Sequence, residues 1–181
     1  MRYLRSFLVA SALVASCVSF AEVKSADALM NEAFAKAKSE SKAVFLSFKA
    51  SWCGWCHKLE DFLKKPEIKA IWDKRVVTVW LTVQESQADK KPLMNPGGDA
   101  WLKRYGGDSE GIPFSIVFDG NGKALIDSKL DGKKSGNIGY PAKDFEIAWF
   151  MKMLDKVTAM TAEEKKAIKE ALVTEGAKIG G

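Results

Sequence analysis

Histidine and cysteine are scarce in this chain, which has one histidine and three cysteines in 181 residues. A structural metal site takes four nitrogen or sulfur ligands in spaced pairs, and His57 beside Cys53 and Cys56 offers no second pair, so no metal and no cofactor is expected. Three cysteines are also too few for a disulfide scaffold. No apolar run is long enough to cross a membrane as a stable helix, and nothing repeats at a fixed period. The charge is only mildly one-sided, with 28 Lys and Arg against 23 Asp and Glu. The lysines are interspersed with acids, which reads as a solvated surface and excludes a nucleic-acid footprint. The 47% apolar fraction excludes disorder and suffices for one domain with its own core.

Arg2 and Arg5 precede an apolar run from Phe7 to Val14, and the small-residue site Ser19-Phe20-Ala21 follows. That pattern is a secretory signal over 1–21, cleaved after Ala21, which leaves a domain over 22–181 outside the cytoplasm. Val14-Ala15-Ser16-Cys17 has the look of a lipoprotein cleavage box, so anchoring through an acylated Cys17 is the alternative. Cleavage takes away two arginines and no acid, and the formal charge falls from +5 to +3.

What remains is a single pair of cysteines, Cys53-Gly54-Trp55-Cys56, between an apolar run and a helical stretch over 58–65. A disulfide across two intervening residues closes too small a loop to restrain the unfolded chain much, so chemistry explains the pair better than stability does. A thiol at the first turn of a helix faces unpaired N–H groups and the positive end of the dipole, which stabilise the reactive thiolate. The second sulfur can then resolve a mixed disulfide formed by the first.

Around this motif the expected order is α β α α β α β β α α. Ser25 caps a helix to Glu40 with a stripe of Ala28, Leu29, Ala33 and Phe34. Ala43 to Phe48 is a strand buried on both faces. After the redox helix, Pro66 starts a short helix over 67–73. Val76 to Val83 is a parallel strand reached by a crossover. A polar loop over 85–98 follows, then a helix capped by Asp99 and stopped by Gly106-Gly107. Phe114–Phe118 and Lys123–Ile126 flank Asp119-Gly120-Asn121-Gly122 as a hairpin. The glycine-rich stretch over 129–140 carries no readable role. Pro141 opens a helix with Phe145, Ala148, Trp149, Met153 and Val157 facing the core, and Thr161-Ala162-Glu163-Glu164 is a capping box for a last helix ended by Gly176.

Trp52-Cys53-Gly54-Trp55-Cys56 after an apolar strand, with Gly111-Ile112-Pro113 far downstream, resembles the thioredoxin superfamily and, more narrowly, its exported bacterial members. The likeness runs from about Ser25 to Val157. It implies a three-layer α/β fold with a mixed sheet of about four strands flanked by helices, here with an extra N-terminal helix and a C-terminal helical extension over about 158–176. It implies a thiol-disulfide oxidoreductase with Cys53 as nucleophile and Cys56 as resolving thiol. Pro113 is then in cis facing the sulfurs, and Ile112 offers its backbone to an extended client. Trp52 and Trp55 are candidate client contacts. The implied partners are protein thiols and disulfides together with a membrane or periplasmic redox protein, in the reductase or isomerase direction.

The chain departs from the familiar pattern at Ser47, six residues before Cys53, where a buried carboxylate usually takes a proton from the second thiol. Glu60, one turn after Cys56, and His57 are the candidates to move that proton instead. Two rival readings remain open at this level. Cys53-Gly54-Trp55-Cys56-His57 satisfies the C-x-x-C-H rule for covalent haem, although its strand-to-helix setting is unlike that of small cytochromes. A client-binding module whose cysteines simply stay oxidised is the other.

Overall fold

The computed structural model describes residues 23–88, 90–130, 136–157 and 159–179. The segment over 1–21 expected to be a secretory signal, with Cys17, and part of the 129–140 stretch lie outside the described residues.

The elements are α1 (Ala26–Glu40), β1 (Ala43–Lys49), α2 (Gly54–Lys64), α3 (Pro66–Arg75), β2 (Val76–Thr82), α4 (Gly98–Arg104), β3 (Ser115–Phe118), β4 (Ala124–Asp127), α5 (Asp144–Leu154) and α6 (Ala162–Ile179), with one 3-10 turn at Lys91–Leu93. The sheet order is β2-β1-β3-β4. β1 runs parallel to β2, with Ala43 opposite Val76, and antiparallel to β3, which forms the hairpin with β4. This is the three-layer thioredoxin-like α/β arrangement.

Side chains alternate across β1 as the pleat dictates. Val44, Leu46 and Phe48 meet α1 and α4 on one face, while Phe45 joins α2, α3, α5 and α6 on the other. Every residue from Val44 to Phe48 is therefore buried. On the four-helix side Trp72 packs edge-on to Phe45 with ring centres 5.2 Å apart, stacks on Phe150, and donates its indole N–H to Thr78 Oγ1 at 2.7 Å. Truncating such an aromatic to alanine costs about 3–5 kcal/mol.

Ser25 caps α1 by accepting the Ala28 N–H at 3.2 Å. The buried face of α1 is Ala26, Met30, Ala33 and Ala37, three small residues around one buried methionine, and Leu29 and Phe34 flank it half-buried. Four further details differ from the sequence reading. The redox helix begins at Gly54 rather than Lys58. Gly97, with φ +82°, caps α4 in place of Asp99, which sits inside the first turn. α5 starts after Lys143 and buries Ile147, Phe150, Met153 and Leu154, so Phe145 and Ala148 are exposed. Of the expected stripe, Met153 and Val157 are buried and Trp149 packs partly buried against the core, so only Phe145 and Ala148 fall off the buried face.

Gly176 does not end α6; it is buried within it, where the helix touches the backbone at Ala142. The capping box at the other end is present, with Glu164 N–H donated to Thr161 Oγ1 at 3.2 Å and Thr161 N–H to Glu164 Oε2 at 2.9 Å. α6 is fastened by buried Ile168 and Leu172, by a bidentate Arg75–Glu164 pair, and by Lys65 Nζ at 2.7 Å from Glu175.

Candidate functional site

The carboxyl end of β1 delivers the chain to a tight turn at Ala50–Trp52, and α2 begins immediately. Cys53 is its N-cap, with extended backbone at φ −85° and ψ 95°, and its Sγ accepts the Cys56 N–H at 3.1 Å. An N-cap normally uses an oxygen for this contact; here a sulfur takes that place and inherits the favourable end of the dipole. Cys53 and Cys56 form a disulfide with their Cα atoms 5.2 Å apart. Cys56 is fully enclosed, its sulfur 3.8 Å from the Phe48 carbonyl, while Cys53 keeps 4% of its surface exposed.

The Ile112-Pro113 bond is cis. The Ile112 carbonyl lies 3.4 Å from Cys53 Sγ, so the loop before β3 and the start of α2 meet at the sulfur. Trp52 and Trp55 flank the pair, each about half exposed. Trp52 donates its indole N–H to the Gln84 carbonyl at 2.9 Å, whereas Trp55 stacks on Tyr140 at 6.2 Å and has Lys58 Nζ over its ring at 5.3 Å.

Of the two proton-transfer candidates, His57 points its Nε2 at the Ser51 carbonyl, 3.0 Å away, and bonds to the turn that precedes the cysteines. Glu60 lies between Lys49 and Lys64, at 3.0 and 2.9 Å. Burial pushes its carboxyl up, but the hydrogen bonds from Lys64 and Lys49 outweigh that and hold it below the usual carboxylate range. A carboxylate so held is a weak proton acceptor, which argues against Glu60 as the carrier. Ser47 is buried beneath the site and accepts the Ser115 hydroxyl proton at 2.9 Å.

Three residues that the sequence reading passed over belong to this site. Glu85, only 5% exposed, accepts the Ser51 N–H at 2.6 Å and the Ser51 hydroxyl at 2.7 Å. It thus pins the turn two residues before Cys53. Asn137 donates its side-chain amide to the carbonyls of Gly111 and Pro113, which bracket the cis bond, and its own oxygen accepts the Ser128 hydroxyl at 2.6 Å. Tyr140 backs Trp55. The one available signal was for Glu85, an acid just past the carboxyl end of a parallel strand, where α/β sheets gather their functional groups. Asn137 in Gly136-Asn137 looks like any turn residue, and Tyr140 like any aromatic.

Among the described residues no group of three His, Cys, Asp or Glu is placed to hold a metal ion, and no helix is long and apolar enough to cross a membrane. Covalent haem needs both sulfurs reachable by a macrocycle, and the enclosure of Cys56 opposes that.

A family model described as thioredoxin-like matches residues 26–120, just over half of the chain. The chain belongs to the thioredoxin-like family. It is similar to the disulphide isomerase of Xylella fastidiosa Temecula1 at 19% identity, with 90% of this chain and 96% of that one covered and a TM-score of 0.49. It is similar to a Thermus thermophilus thioredoxin at 20% identity, covering 76% and 88%, TM-score 0.45. The oxidised C-terminal domain of Neisseria meningitidis DsbD is 24% identical, with 72% and 98% covered and a TM-score of 0.43. No curated protein matches the chain. The protein is thus a thioredoxin-like redox protein with a C-x-x-C disulfide, whose family segment ends before the 129–140 stretch, α5 and α6.

Proposed function

We propose that the mature protein is an exported thiol-disulfide oxidoreductase that acts on protein disulfides through Cys53 and Cys56. The observation that carries this reading is the Cys53 sulfur at the N-cap of α2, receiving a backbone N–H at 3.1 Å and lying 3.4 Å from the carbonyl of Ile112, beside a second sulfur with no exposed surface. On reduction the Cys53 sulfur is the one placed to be stabilised as an anion, and the enclosed Cys56 sulfur is held in reserve.

In the reducing direction the Cys53 thiolate attacks one sulfur of a client disulfide, the client S–S bond breaks, and the departing client thiolate takes up a proton. Cys56 then loses its proton and attacks Cys53 Sγ, which releases the second client thiol and leaves the Cys53–Cys56 disulfide. Two electrons have passed to the client. A strong oxidant needs a heavily stabilised reduced form; one backbone N–H on Cys53 is a modest stabilisation, which favours the reductase or isomerase direction. A membrane or periplasmic thiol partner would re-reduce the pair. The signal-like segment over 1–21 supports export, with cleavage after Ala21 or anchoring through Cys17.

The test is reduction of a protein disulfide such as that of insulin by the dithiol form. Wild type should turn over and Cys53→Ser should not; full turnover by Cys53→Ser would overturn the reading. A client-binding module, by contrast, would keep its affinity when both cysteines are replaced by serine.

A further inference from the structure

Beside the disulfide lies a cleft of about 520 Å³ that extends beyond the redox machinery. Trp55 and Ile112 form its near wall, continuous with the sulfurs, Ile138 and Tyr140 form its floor, and Ile179 at the end of α6 closes its far side. The volume falls in the range of sites that enclose a ligand group of a few hundred Å³. The far wall comes from α6, which lies outside the family-matched residues 26–120.

We propose that this cleft is a specificity pocket for a large uncharged side chain, aromatic or long aliphatic, that flanks the reactive cysteine of the client. The proposal rests on the oxidoreductase reading and names the class of client that the same site prefers. Three observations fix the chemistry of the occupant. Trp55, Ile112, Ile138, Tyr140 and Ile179 make most of the lining apolar or aromatic, with Asn137, Lys143 and Glu146 as its polar members, and burial first and Glu175 second push the Tyr140 hydroxyl up to about 12. The two charged residues of the lining are already engaged: Glu146 Oε2 accepts the N–H groups of Ala142 and Lys143 at 3.0 and 2.9 Å, and the Lys143 ammonium lies over the Phe145 ring at 5.9 Å, so neither calls for a charged client group. The walls are also preformed: Trp55 is stacked on Tyr140, and α6 is locked by Gly176 against Ala142 and by Glu175 on Lys65. A preformed apolar wall next to the attacked sulfur gains affinity from an apolar neighbour without paying to order itself.

The experiment compares reduction of three disulfides by the dithiol form of the full mature chain. Two are peptide disulfides that differ only in Phe or Ser beside the cysteine, and the third is bis(2-hydroxyethyl) disulfide, which reaches the sulfurs and has nothing to place in the cleft. Wild type should favour the Phe peptide over the Ser peptide by roughly tenfold in kcat/KM, as burial of an aromatic side chain predicts. Ile179→Asp should bring that ratio close to one, and Ile179→Ala, a milder change at a partly buried helix end, should give a value between. A ratio near one in wild type, with the small disulfide turned over, overturns the pocket alone. A ratio in both variants equal to that of wild type overturns it too. Failure of wild type on all three disulfides overturns the oxidoreductase reading beneath it.

Discussion

The side-chain amide of Asn137 donates to the carbonyl of Pro113 at 2.7 Å and, with its second proton, to that of Gly111. These two carbonyls stand on either side of the Ile112-Pro113 bond, so the clamp holds the loop in place while leaving the Ile112 backbone free toward Cys53. Ser128 fixes the amide's orientation by donating its hydroxyl to Asn137 Oδ1. Asn137→Ala loses two donors, each worth about 1 kcal/mol net. Asn137→Asp should be worse, since a carboxylate only accepts and would face two carbonyls. Denaturant unfolding should rank wild type above Ala and Ala above Asp, and KM for a protein disulfide should rise more than KM for a small one. An Asp variant as stable as wild type would refute the clamp.

Glu85 and Ser51 form a second such pair, in which one buried carboxylate takes both the N–H and the hydroxyl of one serine. Hydrogen bonds to an ionised group are worth about 1.5–3 kcal/mol. Glu85→Ala strands the Ser51 N–H and should cost that much or more; Ser51→Ala removes only the hydroxyl bond. The double-mutant cycle should return a coupling of about 1 kcal/mol or above. Because Trp52 hangs from the neighbouring Gln84 carbonyl, its fluorescence should shift in Glu85→Ala. Strictly additive stabilities would show that the two groups do not communicate.

The two thiols of the reduced protein should react in order. Cys53 is the N-cap and receives the Cys56 N–H, whereas Cys56 is shut in against Phe48. A helix terminus contributes up to about 1–2 kcal/mol, or roughly one pKa unit. Alkylation should therefore modify Cys53 first, with a midpoint clearly below the free-thiol value of about 8.5. Equal labelling of the two, or a midpoint at the free value, would defeat the helix-terminus account.

The features legible in the sequence were those that local chemistry dictates. Ser25 and the Thr161–Glu164 box announce caps by residue type, the unbroken apolar run of β1 announces a strand covered on both faces, and the C-x-x-C after it locates the sulfurs. The features that stayed hidden depend on what approaches from elsewhere in the chain. Gly176 looks like a helix stop because glycine often is one; only the Ala142 backbone against it explains why a glycine sits inside α6. Along α5 and just past it the helical spacing correctly marks Met153 and Val157 as core, but Phe145, large and apolar, faces solvent with the Lys143 ammonium over its ring. Asn137 and Glu85 act through bonds to residues 24 to 34 positions away, which no spacing rule connects.

Acid should loosen α6. Hydrogen bonds from Lys65 and then Lys178 hold the Glu175 carboxyl down at about 2, against an ordinary value of 4.5. A depressed acid adds stability that is whole above its unfolded value and fades as pH falls through its folded one, so the window here runs from about 4.5 down to about 2. Both partners are partly solvated, which limits the contribution to no more than about 1 kcal/mol. The stability difference between wild type and Glu175→Gln should be present at pH 7, shrink below pH 4.5 and be gone near pH 2. A difference that does not change across that window would assign the stabilisation to something other than the charge.

Gly176→Ala should destabilise the protein, although the position is helical and alanine is the better helix former. In an unobstructed helix the exchange gains about 1 kcal/mol. At Gly176 a Cβ would fall 2.3 Å from the Ala142 carbonyl oxygen. That carbonyl has little freedom to retreat, because the N–H groups of Ala142 and Lys143 are both held by Glu146 Oε2, at 3.0 and 2.9 Å. Overpacking of this kind costs about 1–3 kcal/mol, and here the obstacle is backbone, which places the cost at the upper end and above the propensity gain. Relief can come only by moving α6 outward, which shifts Ile179 and widens the cleft beside the disulfide. The denaturation midpoint should fall, and the preference for a Phe-flanked client disulfide should weaken with it. A midpoint that rises instead would mean that α6 is not pressed against the Ala142 backbone, and the far wall of the pocket would lose its anchor.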